Sequence, residues 1–276
     1  MCERLAESTE VNDVKLVSIV IATYNAEQHV GLTLESIARL PIDLLDMVEV
    51  IVVDGKSSDR TLSIVNSYSE IVDVIVSEVD EGIYDAMNKG GRIAGGKWLH
   101  FLNAGDRFDS DASLTPLFDV LKTASQDELW AVSGATNMGG QDGQRQVIPN
   151  LPHRWFRHAL GLQPHCHQAC WFRADVFHTV GGHALDLGLV GDFDLILRFG
   201  LLRRPIEIKS LLIEYQGGGV SEQRRKEIKR LLHEVRVLRL DLQGRWSRFD
   251  TALSTAIAAI NSVRITGGRI KRRLTT

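Results

Sequence analysis

The amino-acid sequence predicts an α/β protein built on a mostly parallel sheet flanked by helices. Three observations predict it. Short runs apolar on both faces alternate with stretches of helical spacing. Each run ends in a polar tip. No run of about 18 apolar residues breaks the alternation, so no transmembrane helix is expected. At 276 residues and 44% hydrophobic content, the chain has enough apolar material for a sizeable core.

Residues 17–24 (VSIVIATY) read as a buried strand, and residues 26–40 carry helical spacing at Val30, Leu34, Ile37 and Ala38 before Pro41. Residues 48–54 (VEVIVVD) form a second strand. The turn GKSSDRT follows, with Ser57 or Ser58 as the expected N-cap of a helix reaching about residue 69. Residues 72–77 (VDVIVS) are a third strand. DEGIYDAMNKGGRIAGG then reads as a helix with Ile83, Ala86, Met87 and Ile93 on one face and Gly95-Gly96 at its end. In KWLHFLNAGDRF an apolar strand, interrupted by His100, delivers the small polar tip Asn103-Ala104-Gly105-Asp106. A helix near 111–124 and a strand near 128–134 continue the alternation. The expected organisation is a flexible N-terminus (1–15), one domain over 16–221 with halves 16–110 and 111–221, and a basic helical extension (222–276).

In open parallel sheets ligands bind beyond the carboxyl ends of the strands. Thr23-Tyr24-Asn25, Asp54, Asp80 and Asn103–Asp106 all follow strand ends and are expected at one edge. The first turn, ATYNAEQHVG, lacks G-x-G-x-x-G, and no G-x-x-x-x-G-K-[ST] occurs, so neither a dinucleotide fingerprint nor a P-loop is present. A nucleotide site here would manage its phosphates with carboxylates and a cation. By spacing alone, Asp54 equally suits an Asx-turn before Gly55, Asp106 a turn cap, and Asp192 an N-cap.

The segments VSIVIATYNAEQHVGLTLESI, VEVIVVDGKSSDRT, DEGIYDAMNKGGRIAGGKW, LHFLNAGDRF, HCHQACWFRADVFHTVGGHALDLGLVGDFDLILRFG and YQGGGVS, in this order, resemble family 2 glycosyltransferases of the GT-A, Rossmann-like fold. The resemblance covers about residues 16–221. It implies transfer of a sugar from a nucleotide diphosphate sugar, a UDP-sugar first of all, to a hydroxyl of a glycan or lipid-linked acceptor, with inversion. It belongs to the kind found in exopolysaccharide, O-antigen or glycolipid assembly. Asp106 matches the last carboxylate of the family's Asp-x-Asp tip and is the implied ligand of Mg²⁺ or Mn²⁺; Asn103 and Gly105 stand where the family has acids. Asp54 is the implied partner of the nucleotide base. Thr23, Tyr24 and Asn25 resemble the wall around base and ribose, and Asp80 a further nucleotide contact. Asp192 matches the second residue of the family's Glu-Asp pair, with Gly191 in place of the Glu, and is the implied general base. His167-Gln168 falls near the diphosphate and acceptor. Asp194 reads as an acidic first-turn residue.

His165, Cys166, His167 and Cys170 have no standard zinc spacing, and on a strand they would face opposite sides. Three cysteines (Cys2, Cys166, Cys170) indicate no disulfide framework and fit a reducing cytosol, and MCERLAESTEVND has no apolar core of a signal peptide. Charge is asymmetric: residues 222–276 carry 14 Lys+Arg against 5 Asp+Glu, residues 1–221 carry 18 against 30. Residues 221–242 form an amphipathic pattern, with Ile228, Leu231, Leu232, Val235, Leu238 and Leu242 on one stripe. With the terminal GGRIKRRLTT it fits the inner, anionic face of a membrane, or a solvated extension. No aromatic interleaving or recognition motif points to nucleic acid. A sugar nucleotidyltransferase would need a basic, glycine-rich loop after the first strand, which is absent; a non-catalytic nucleotide-sugar-binding scaffold is the remaining alternative.

Overall fold

Alternation within the strands sorts the core into two layers, one on each side of the sheet. The computed structural model describes residues 14–139, 145–163, 165–217, 225–242, 244, 246 and 248–253. In it, β1 (Val17–Thr23), β2 (Val48–Asp54), β3 (Val74–Ser77) and β4 (Trp98–Phe101) are parallel neighbours in the order β3-β2-β1-β4. Ile19, Ile21, Val50 and Val52 pack with Val30, Leu34 and Ile37 of α1 (Val30–Ala38) and with Leu117, Phe118 and Leu121 of α5 (Thr115–Thr123). Their alternates Val20, Ala22, Ile51 and Val53 pack on the other face against Ala86 and Met87 of α4 (Ile83–Ile93). Helix α4 lies close on β1 because Gly90 has no side chain: a Cβ there would come within 2.3 Å of Val20 Cγ1. The short α2 (Ile42–Leu45) and α3 (Thr61–Asn66) complete this half.

The second half departs from simple alternation. After β5 (Arg107–Phe108) and α5, strand β6 (Trp130–Asn137) does not join β4. The four-residue β8 (Cys170–Arg173) inserts between them, antiparallel to both. Beyond β6 lie β9 (Ile206–Tyr215), parallel to it, and then β5, while β7 (Gln146–Ile148) hangs on β6. Helices α6 (Trp155–Ala159), α7 (Ala174–Thr179) and α8 (Gly191–Leu202) pack around this half, with the kinked 3-10 segment Leu185–Val190 before α8. His100, the break in the β4 pattern, is fully buried between Phe108 and Trp171, its Nδ1 3.2 Å from the Cys170 carbonyl oxygen. Burial pushes its pKa down to about 4, so it sits in the core as a neutral ring.

Four local expectations are corrected. Ser57 and Ser58 do not cap α3; Asp59 binds the Thr61 amide instead (2.9 Å), and α3 stops at Asn66. Ile83 and Ile93 are exposed, leaving Ala86 and Met87 to bury the face of α4. Residues 165–169 are not strand: His167–Ala169 is a 3-10 turn leading into β8. Most of the apolar stripe of α9 (Arg225–Arg239) is turned inward rather than left for a membrane, since Ile228, Leu231, Leu232 and Val235 pack on Leu187, Val190, Phe193 and Leu197, while Leu238 is exposed. Residues 1–13, Gly218, Gly219 and the terminal GGRIKRRLTT lie outside the described residues.

A buried ion pair locks α9 in place. Asp194 of α8, fully buried, accepts hydrogen bonds from Arg198 Nε (2.8 Å) and from Arg239 Nε (2.6 Å) and Nη2 (3.1 Å). It is thus a structural anchor, as its first-turn position allowed. Replacing Asp194 by Ala strands two guanidinium groups, and removing one partner of such a group typically costs about 3–5 kcal/mol. The expected result is a lower urea midpoint at unchanged slope, with the far-UV spectrum retained.

Candidate functional site

Parallel register brings the strand tips to one edge. Thr23 pairs with Asp54, and Asp54 with Ser77. The Leu102 amide donates to the Val20 carbonyl (3.0 Å), which sets the Asn103–Asp106 tip beside the end of β1. Across Gly55 the Tyr24 ring and the Asp80 carboxylate close on each other, a Cβ at Gly55 lying 3.3 Å from Tyr24 Cδ2 and 2.9 Å from Asp80 Oδ2. Asn25 adopts positive φ (46°); its Oδ1 accepts from the Ser58 amide (2.9 Å) and its own amide donates to Ser57 Oγ (2.8 Å). Thr23 Oγ1 is buried without a hydrogen-bond partner among the described residues. Asp80 is held by Lys89 of α4 (2.7 Å), which also reaches Glu78 and Asp85 (3.0 Å each). Those carboxylates hold the Lys89 ammonium above its ordinary range.

Asp54 is fully buried, and its carboxylate is engaged by the Ser57 amide (2.9 Å), Ser77 Oγ (2.7 Å) and Ser57 Oγ. This is the turn-forming role its spacing allowed.

The β4 tip is shaped by Thr33 of α1, whose Oγ1 accepts from the Gly105 amide and donates to the Asp106 carbonyl (2.8 Å each). Gly105 has φ 104°, and a Cβ there would overlap Gln216 Oε1 at 2.0 Å. The buried Asp106 carboxyl accepts from Gln168 Nε2 (2.8 Å) and the Gln216 amide (2.9 Å). Burial pushes its pKa up to about 7, and these two donors only partly oppose the shift.

A cleft of about 830 Å³ opens beside the tip. Asn103, His167, Gln168, Tyr84 and Asp192 line its polar part, while Leu185, Leu189, Phe193, Ile228 and Leu232 line an apolar part. Thr23, Tyr24, Asn25, Asp54, Asp80, Gly105 and Asp106 are not in its lining; Asp106 touches it through Gln168. Asp192 sits in the first turn of α8 without capping it. Its Oδ1 accepts from the Phe193 amide (2.7 Å) and Tyr84 OH (3.1 Å), and burial pushes its pKa up. His167 Nε2 lies 3.1 Å from His183 Nε2; burial pushes His167 down to about 3, so it faces the cleft uncharged. The buried Cys166 and Cys170 are free thiols.

Two oxygen donors at the tip suit a hard cation. Asn103 Oδ1 is buried without a hydrogen-bond partner, and Asp106 is the neighbouring carboxylate. Mg²⁺ is commonly held by one or two protein oxygens, with phosphate and water completing its shell. Among the described residues no group of three or more His, Cys, Asp or Glu is placed to share a metal. Tyr84 and Gln216 were not singled out in the sequence; the first lies within the GIYDAMNKG segment, the second within YQGGGVS, where the resemblance ends.

The family described as Glycosyl transferase family 2 matches residues 18–181. An uncharacterized glycosyltransferase of Mycobacterium tuberculosis is 33% identical over 178 residues, 64% of this chain and 66% of the relative. A PGL/p-HBAD biosynthesis glycosyltransferase of Mycobacterium bovis is 30% identical over 186 residues, 66% of this chain and 69% of its own. The chain thus spans about two thirds of the length of these relatives. Among solved structures, S. aureus TarS 1-349 in complex with UDP-GlcNAc superposes with TM-score 0.61 at 18% identity, covering 80% of this chain and 66% of that one. The mannosyltransferase PcManGT from Pyrobaculum calidifontis, in complex with GDP-Man and Mn²⁺, gives 0.54 at 18% identity over 92% and 79%. The mixed, mostly parallel sheet, the ordered motifs and the family match agree: the chain belongs to glycosyl transferase family 2 and has the GT-A fold.

Proposed function

We propose that this chain is an inverting glycosyltransferase that moves a sugar from a nucleotide diphosphate sugar, a UDP-sugar in the first instance, to a hydroxyl of a glycan or lipid-linked acceptor. The observation that carries the reading is one cleft lined by both Asn103 of the β4 tip and Asp192 of α8, with Asp106 tied to its wall through Gln168. The nucleoside lies along the rim of Tyr24, Asn25 and Asp80, with Thr23 and Asp54 beneath. Asp106 and Asn103 Oδ1 would hold Mg²⁺ or Mn²⁺, which supplies positive charge against the leaving diphosphate. His167 offers the diphosphate or acceptor a neutral hydrogen-bonding ring. Asp192 receives the acceptor hydroxyl's proton as that oxygen bonds to the anomeric carbon and the bond from that carbon to the diphosphate oxygen breaks; the base stands on the face opposite the leaving group.

Two names among the comparisons support the substrate class without fixing it: one neighbour is in complex with UDP-GlcNAc, and one relative is named for PGL/p-HBAD biosynthesis. The domain plan of 16–221 with a basic extension stays part of the proposal, as does a cytoplasmic place at the inner, anionic membrane face. With the α9 stripe turned inward, membrane contact falls to the basic segment beyond residue 253. Flotation with phosphatidylglycerol vesicles should recover the full chain and lose a truncation after Leu253; equal recovery would end the membrane reading.

Slow release of UDP from a panel of UDP-sugars with Mn²⁺ separates an enzyme from a scaffold. Asp192→Asn should lower transfer about 10²–10⁴-fold while UDP binding stays near wild type. Asp106→Ala should abolish the Mn²⁺-dependent part of UDP binding, read by calorimetry. Asp106 also gives a pH signature. Its folded pKa of about 7 lies above the ordinary 3.8, so the native state holds an extra proton between the two values. Stability from this group is therefore highest below about pH 4 and falls as pH rises toward 7 in metal-free protein. Because the ion displaces that proton, the apparent Kd for Mn²⁺ should fall about tenfold per pH unit from pH 5 to 7 and level off above. A pH-independent Kd would remove Asp106 from the cation site.

A further inference from the structure

The Tyr84 ring is enclosed on two sides. One face stacks on His183, centroids 5.2 Å apart and planes 19° apart. Another side meets Gly191, where a Cβ would come within 2.9 Å of ring carbons Cδ2 and Cε2. His183 is itself pinned to the helix that bears Tyr84: its amide donates to Asn88 Oδ1 and its carbonyl accepts from Asn88 Nδ2, both at 2.8 Å. The ring is thereby set so that the hydroxyl lands on Asp192 Oδ1 at 3.1 Å. That oxygen also accepts from the Phe193 amide, so Oδ1 is doubly occupied. No hydrogen bond to Oδ2 is present among the described residues, and Asp192 lines the cleft.

We propose that Tyr84 is a positioning residue for the base: its phenol clamps Asp192 Oδ1 and leaves Oδ2 turned to the acceptor hydroxyl. This rests on the reading of Asp192 as the base. A packing role alone would call for an aromatic ring but not for a hydroxyl. The replacement of the family's Glu by Gly191 fits the same arrangement, because any side chain at residue 191 would collide with the ring.

The clamp also opposes the effect of burial. Desolvation pushes the Asp192 pKa up, while the Phe193 amide and the Tyr84 hydroxyl pull it down. Other titratable groups nearby are neutral around pH 7. Burial pushes the Cys166 and Cys170 thiols up, and the His158, His167 and His183 imidazoles down. The Asp194 carboxylate on the same helix is paired with Arg198 and Arg239, and Asp186 adds acidity on the preceding segment. The Tyr84 phenol is held protonated by burial and by the Asp192 charge, and so remains a donor.

The test uses the full chain and the ¹³C side-chain carboxyl titration of Asp192, assigned by its loss in Asp192→Asn. Hydrogen bonds to charged groups are worth roughly 1.5–3 kcal/mol, so Tyr84→Phe should raise the Asp192 midpoint by about one pH unit or more. UDP release from UDP-N-acetylglucosamine should show its acid limb displaced by the same amount, with kcat lowered and KM unchanged. Gly191→Ala reaches the same contact from the other side, pushing the ring away, and should give the same displacement if Tyr84→Phe does not fold. The inference is overturned if both variants keep the wild-type Asp192 midpoint. Full turnover by Asp192→Asn would instead sink the base reading, while the carboxyl titration still reports whether Tyr84 holds this carboxylate.

Discussion

A single buried carboxyl group ties together the parts of the chain that make the cleft. Asp106 lies at the end of β4, accepts from Gln168 in the 3-10 turn before β8, and accepts from the Gln216 amide just past β9. These contacts join segments 62 and 110 residues apart in sequence. They hold the edge of the nucleotide half against the acceptor half. Because the group is buried among neutral donors, its charge is poorly compensated, the condition that the proposed cation would relieve. The same contact thus serves assembly and chemistry, and the tip needs Gly105 in a left-handed conformation to present it.

Helix α4 connects the strand-tip rim with Asp192, the proposed base. From its second half Lys89 reaches back to Glu78, Asp80 and Asp85, fixing the loop that follows β3. One turn carries Tyr84 to Asp192, and the opposite face is pressed to β1 through Gly90. A displacement of this helix would therefore disturb Asp80 and Asp192 together. The inward stripe of α9 acts on the other wall, since Ile228 and Leu232 close the apolar part of the cleft and Asp194 holds the helix there. The extension is a wall of the site as well as a carrier of charge.

How much of this was legible in the sequence follows from the range of each interaction. The strands β1 and β2 were read with almost their observed bounds because burial on both faces leaves a continuous apolar run. The strand tips followed from the parallel register, and Asp106 and Asp192 from motif order. The antiparallel insertion of β8 was not legible: four residues, CWFR, carry no directional signal, and their partners lie about 70 residues away on β4 and about 40 on β6. Tyr84 escaped because its hydroxyl is explained only by a residue 108 positions on. The α9 pattern named the buried stripe but could not say whether a lipid surface or the body of the protein would cover it. Asp54 carried both of its readings to the end, since the spacing that suits a base contact also suits the turn with Ser57.

Asp106 and Asp192 share a starting condition, a carboxyl group taken out of water, yet the chain treats them differently. Asp106 accepts from two amide N–H groups that only partly offset the effect of burial, and its pKa stays near 7. Asp192 accepts from a phenol and from a backbone amide on the same oxygen. Both favour the ionised form and leave the second oxygen open. A base must be ionised before the acceptor arrives, whereas a metal ligand can be ionised by the metal. The donors around the buried Asp106 and the half-buried Asp192 therefore differ in the way the two proposed tasks require, and the difference lies largely in neighbours supplied by distant segments rather than in the aspartates themselves.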